Sequence, residues 1–267
     1  MIAKPLAFFQ RDLRIATSYR VTFVQGFFSL LLGLVTMNFI ARLVNQGAPA
    51  DLAPYGNDYF AYALIGVSFA LFVSGVAGQF ASIVRNAQVT GTLEVMLSSR
   101  TSLPTFLACS SLYGFAFGVV RLVLALSLGA ALLGADLSGD QAAMALLVFV
   151  LTAATFAGIG IFAAAFVVRF KQREPFTAAL ATASLMLSGV IYPTTVLPDW
   201  LERLAPLLPL THTMSALRAA LLDGASTVSV GSDVLVLAGF AALLPLSLFA
   251  FEVAVRQAKA AGSLSHY

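Results

Sequence analysis

Six stretches of this chain, at 21–41, 61–84, 105–133, 142–168, 176–192 and 234–255, run long and apolar with almost no charge inside them. About 20 apolar residues in a helix cover the ~30 Å of bilayer hydrocarbon, and a helix satisfies its own backbone polar groups there. Runs of this length leave little for a polar surface: 10% of the residues are charged, 60% are hydrophobic, and the mean hydropathy is +0.92. Lipid must therefore serve as the solvent. The expected fold class is an all-α polytopic membrane protein, one transmembrane domain over 1–267 with six transmembrane helices.

The charges sit in the gaps and orient the bundle. One side collects Lys4, Arg11, Arg14, Arg20, Arg85, Arg100, Arg169, Lys171, Arg173, Arg256 and Lys259. The other has Arg42, Arg203 and Arg218 among the acidic residues Asp51, Asp58, Asp136, Asp140, Asp199, Glu202, Asp223 and Asp233. A basic excess marks the cytoplasmic side, which places both termini inside. The net charge of +3 and the pI near 9.2 thus report topology and give no support to a nucleic-acid partner. Cys109, the single cysteine, excludes an intramolecular disulfide. The first residues are amphipathic rather than an apolar run before a small-residue cleavage site, so no cleavable leader is expected.

Three connectors have character of their own. Over 1–20, Leu6, Phe9 and Leu13 share one helical face opposite Lys4, Arg11 and Arg14. That is the pattern of an interfacial helix on anionic lipid, either a lead-in to the first span or a lever touching a cytosolic partner. The loop 85–103 contains RNAQVTGTLEVMLSSR at 85–100, where Gly91 breaks a helix, Thr92 could cap the next, and Leu93 and Met96 face the cytosol. It reads as a docking knob or as a surface loop with a short interfacial helix. The external segment 193–231 is apolar but interrupted by Pro193, Pro198, Pro206 and Pro209. Proline removes a donor and breaks a helix, so two short re-entrant helices are expected, anchored at the interface by Trp200, as a gate or a passive cap.

Within the spans, carboxylates are absent from the middles; Glu252 lies near the inner end of the last. Ion-coupled carriers usually rely on such groups, so a secondary transporter is disfavoured. Arg121, near the middle of the third span, is the exception. It either lines a path and meets an anionic head group, or caps carbonyls of a neighbouring helix. Phe27, Phe28 and Phe39 of the first span and Phe69, Phe72 and Phe80 of the second line a greasy path or pack the bundle. Gly66, Gly75, Gly78, Gly158 and Gly160 read as helix-packing positions. His212 reads as a hydrogen-bonded structural residue, because no clustered partner accompanies it.

Several segments together carry a family pattern: GTLE at 91–94, LSGVIYP at 187–193, LPDW at 197–200, LPLTH at 208–212 and ALRAALLDG at 216–224. In order and spacing they resemble the permeases of ABC type-2 transporters, along nearly the whole chain. The resemblance implies the membrane subunit of an exporter, paired with a second permease copy in a homodimer and with two cytosolic ATP-binding cassette subunits. It assigns coupling to the ATPase to Gly91, Thr92, Leu93, Glu94 and Met96, with Arg11 and Arg14 nearby. It implies an outer gate shaped by 193–224, where Tyr192, Pro193, Pro198 and Trp200 are the gate candidates; Arg121, Phe27 and Phe72, read from the spans themselves, are the candidates for the path.

No phosphate-binding Gly-x-x-x-x-Gly-Lys-Ser/Thr loop occurs in the sequence. The chain is thus expected not to be an enzyme and to bind no cofactor, with ATP and Mg on the partner subunit. The implied substrate is a drug, lipid or glycolipid leaving the cytoplasm or inner leaflet of a bacterial inner membrane. Lipid-linked polysaccharide is the alternative on the same architecture, and an uncoupled channel or scaffold subunit is the rival from another class. An intramembrane enzyme would need a convergent polar cluster, and the chain has only two histidines.

Overall fold

A computed structural model describes residues 3–18, 20–46, 58–92, 103–135, 137, 141–170, 176–222 and 227–260. Among these residues every regular element is helical. The helices are α1 (Ala3–Ser18), α2 (Arg20–Gln46), α3 (Tyr59–Val89), α4 (Leu103–Leu133), α5 (Ala142–Phe170), α6 (Phe176–Leu187), α7 (Asp199–Glu202), α8 (Pro209–Leu221), α9 (Thr227–Ala241) and α10 (Leu243–Ala260). Two 3₁₀ turns, Thr194–Val196 and Ala205–Leu207, flank α7.

Among the described residues, five stretches are long and apolar enough to cross a membrane: Val24–Gln46, Tyr59–Val89, Thr105–Leu133, Ala142–Phe170 and Val230–Ala258. The protein is a membrane protein with an all-helical bundle. The run at 176–192 differs from expectation. Its helix stops at Leu187 after 12 residues, about 18 Å at 1.5 Å per residue, well short of ~30 Å. Gly189 takes a left-handed φ of 69°, which turns the chain, and the Tyr192 hydroxyl donates back to the Met186 carbonyl at 2.7 Å. The last span is also divided, at Ala242 between α9 and α10. Pro245 explains the break: it has no N–H to donate and its ring crowds the carbonyl four residues earlier, at Ala241.

The core lies on α3 and α5. α3 begins at Asp58, whose carboxylate accepts from the Phe60 N–H at 2.9 Å, a conventional N-cap. It is buried along most of its length, packed against α4 and α5. α5 is sandwiched between α3 and α10. Gly160 permits the first contact, since a Cβ there would come within 2.5 Å of the Ala77 carbonyl oxygen. α2 touches α3 and α4 but leaves Phe28, Phe39 and Leu43 exposed. In a bilayer that face meets lipid or protein, so its exposure carries no hydrophobic penalty.

The glycines divide in a way composition could not show. Gly66, Gly158 and Gly160 sit at close approaches, whereas a Cβ at Gly75 or Gly78 would meet nothing within 4 Å. The last two are therefore not packing positions among the described residues.

Candidate functional site

Proline positions set up the external segment. Pro193 and Pro198 precede the first 3₁₀ turn and α7, Pro206 lies in the second 3₁₀ turn, and Pro209 opens α8. Each stands where the first N–H of a helix has no internal acceptor anyway, so the missing donor is harmless. The result is a four-residue helix, α7, between the two 3₁₀ turns, followed by the 13-residue helix α8. α8 packs into the bundle against α5, α9 and α3, with Leu210, Met214 and Leu217 fully buried.

α8 carries the most deeply buried cation among the described residues. Arg218, grouped by charge with the loop residues of the acidic side, is instead buried, 3% exposed. Its Nη1 donates to the Gly189 carbonyl at 2.6 Å, and Nη2 to the carbonyls of Val190 (3.0 Å) and Tyr62 (3.1 Å). Nε donates to the same Tyr62 carbonyl at 3.3 Å, and Cζ stands 3.4 Å from the Tyr62 ring centroid. The Tyr62 hydroxyl adds a bond to the Gly189 carbonyl at 2.9 Å. One planar fork thus answers the carbonyls freed where the chain turns after α6. Gly66 makes room, because a methyl group there would overlap the Val190 carbonyl oxygen and crowd the guanidinium. Helix α8, the α6 turn and the start of α3 are thereby clasped together.

Three further bonds hold α8. His212 Nδ1 lies 2.7 Å from Asp233 Oδ1 on α9, and Nε2 lies 2.9 Å from the Pro206 carbonyl. The buried hydroxyls of Thr152 on α5 and Thr213 on α8 are 2.9 Å apart. His212 is thus hydrogen-bonded at both nitrogens, as a structural residue would be.

Arg121 has a different setting. It sits on α4 where two cavities meet, and among the described residues it makes no hydrogen bond or ion pair. The larger cavity, about 430 Å³, lies between α2, α3 and α4; Ser29, Ser68 and Gln79 bring polarity to it, and Phe72 forms part of its wall. The smaller, about 230 Å³, lies between α1, α2 and α4 and includes Phe9, Leu13, Phe27 and Tyr113. Phe72 also packs at 5.1 Å from Phe149 and 5.8 Å from Phe115, so it is core and wall at once. The carbonyl-capping role open to Arg121 in the sequence belongs to Arg218.

Of the path and gate residues, Arg121, Phe27 and Phe72 are brought together. Tyr192, Pro193, Pro198 and Trp200 line neither cavity. They form the connection after α6, where Pro193 is buried and Trp200 is 66% exposed. Arg218 was the residue missed. Its signal was available: a lone arginine flanked by Ala216, Leu217, Ala219 and Ala220 in an otherwise apolar helical run.

At the opposite end, α1 is docked rather than free. Phe8 meets Phe106 edge-on at 5.7 Å and Phe9 approaches Tyr113 at 5.9 Å. The face toward α4 therefore carries Phe8 and Phe9, while Leu6 and Leu13 stay exposed. Arg11 pairs with Asp12 at 2.8 Å and lies 5.0 Å from the Phe8 ring; Arg14 is exposed. α3 ends nearby in a turn with Gly91 at φ 68°. The Thr92 hydroxyl is 2.9 Å from that of Thr90 and 3.4 Å from the Ala87 carbonyl; the helix it is expected to cap lies outside the described residues. Leu93, Glu94 and Met96 lie outside the described residues.

Comparison with known proteins bears on this layout. The sequence profile of a family described as ABC-2 type transporter matches residues 6–222, from α1 through α8. Nodulation protein J of Sinorhizobium fredii is 34% identical over 79 residues. That local match covers 30% of this chain and 30% of the relative.

Proposed function

Because the chain belongs to the ABC-2 type transporter family, we propose that it is the permease subunit of an ATP-driven exporter of amphiphilic or lipid-like molecules. The observation that carries this reading is the continuous family match over 6–222. The ATP-binding cassette is a separate polypeptide, and two copies of it serve a homodimer of permeases in a bacterial inner membrane. The broken stretch from α6 through α8 acts as the fifth crossing with its re-entrant cap. That gives six crossings and leaves both termini cytoplasmic, in keeping with the basic residues at those ends.

In this reading the cytosolic face is the end bearing α1 and the Gly91 turn. ATPase movement enters at Gly91, Thr92, Leu93, Glu94 and Met96. It spreads to the bundle through α3, whose end the turn forms, and through α1, whose Arg11 and Arg14 face outward beside it. Substrate passes Arg121, Phe27 and Phe72 and leaves by Tyr192, Pro193, Pro198 and Trp200. Support comes from the packing: α3 joins the turn at one end to the Arg218 clasp at the other, so a push on the turn is delivered to the segment that would open.

Co-purification with the cognate ATPase tests this. A stable complex with vanadate-sensitive ATP hydrolysis is expected, and Glu94→Lys should abolish association or reduce coupled transport at least tenfold. Transport that survived Glu94→Lys undiminished would remove the loop from the coupling path. Failure of a well-folded permease to associate at all would favour an uncoupled channel or scaffold.

A further inference from the structure

An unpaired guanidinium in a bilayer is expensive unless an anion or water meets it, and Arg121 opens onto space where neither is supplied by the described residues. The two cavities share Leu30, Phe117 and Arg121, so the cation stands at their junction. The lobe toward α1 offers little polarity beyond Arg121 and Tyr113. The space is also built into the backbone: a Cβ at Gly26, Gly33 or Gly75 would meet no atom within 4 Å. These glycines recess the walls instead of drawing helices together. From Tyr113 to Ala125 the lining on α4 runs about 18 Å at 1.5 Å per residue, long and narrow in the manner of a hydrocarbon chain.

We propose that this two-lobed cavity binds an anionic amphiphile, with a phosphate or carboxylate head on Arg121 and its hydrocarbon chain in the lobe that reaches Phe9 and Leu13. The guanidinium supplies the charge-assisted hydrogen bonds such a head requires. The apolar lobe supplies chain burial, and the volumes fall within the ~300–1,000 Å³ of small-molecule sites when joined. The transported molecule and an anionic bilayer lipid share this chemistry. Assigning the site to transport rests on the permease reading; the binding does not.

The test uses the full chain in phosphatidylcholine nanodiscs, with labelled dodecyl phosphate and dodecyltrimethylammonium as probes. The phosphate should bind at least tenfold more tightly than the ammonium. Arg121→Gln should erase the preference, Arg121→Lys should keep part of it, and Gly75→Leu should weaken both probes by filling the space. Equal affinities in the unaltered chain, or an undiminished preference in Arg121→Gln, would overturn the proposal. Thermal melts of the variants separate lost binding from lost folding; at Gly75 the first atom added, a Cβ, meets nothing within 4 Å.

Two further arms separate the sources. Stimulation of ATP hydrolysis in the ATPase complex by dodecyl phosphate marks a transported ligand. Phosphatidylglycerol retained by the unaltered chain but lost from Arg121→Gln, without such stimulation, marks a bilayer lipid. Discrimination between probes by a chain that recruits no ATPase would sustain the cavity and refute the permease reading.

Discussion

Two arginines in apolar surroundings are used in opposite ways. Arg218 spends its donors on the carbonyls of Gly189, Val190 and Tyr62 and is sealed in the bundle. Arg121 faces a cavity. Removing the first should damage the fold: the Val190 carbonyl loses the Arg218 N–H, and the carbonyls of Gly189 (which keeps the Tyr62 hydroxyl) and Tyr62 lose charged donors, at about 1–3 kcal/mol for a buried group left unsatisfied. We expect Arg218→Gln to destabilise the chain by roughly 3 kcal/mol or more, read as a large fall in melting temperature in detergent. Arg218→Lys should recover only part, since an ammonium cannot reproduce the planar fork. Gly66→Ala should mimic the loss through its overlap with Val190, whereas Gly75→Ala should stay within about 0.5 kcal/mol of the unaltered protein. An unchanged melt for Arg218→Gln would refute the clasp. Only the intramembrane place of Arg121 could be read from the sequence, where Arg218 reads as an external charge. Which of the two capped carbonyls could not, because the acceptors lie 28 and 156 positions away.

At the level of elements, the apolar runs made the four long helices α2 to α5 and the divided span α9–α10 legible, and the prolines marked the starts of the short ones. What they hid was the end of α6. The apolar run continues to Tyr192, but Gly189 and the Arg218 donors stabilise a turn there, and local propensity contains no term for a distant guanidinium. The amphipathic start was legible as a helix, yet of its expected apolar face, Leu6, Phe9 and Leu13, it is Phe9 that makes a ring contact with α4, joined by Phe8, through Tyr113 and Phe106. Each such aromatic pair is worth about 0.5–1.5 kcal/mol. The double change Phe8→Ala, Phe9→Ala should therefore release α1 while leaving the bundle melt nearly unchanged. Limited trypsin digestion reads this out as faster cleavage after Arg11 and Arg14; an unaltered rate would mean that α1 is held by something other than these rings.

For the whole molecule, the expectation is an assembly of two permeases with two ATPase subunits. Native mass spectrometry of the purified complex should give that 2:2 mass, and a 1:2 mass would refute the homodimer. The exposed apolar face of α2 is available to lipid or to a second copy. Membrane residence, helix class and the placing of charge at the ends followed from composition along the chain, because solvation by lipid acts on each segment separately. The position of Arg218, the recess beside Gly75 and the shared cavity at Arg121 arose only when α2, α3, α4 and α8 came together. Burial and vacancy are properties of neighbours, and neighbours distant in sequence are chosen by packing.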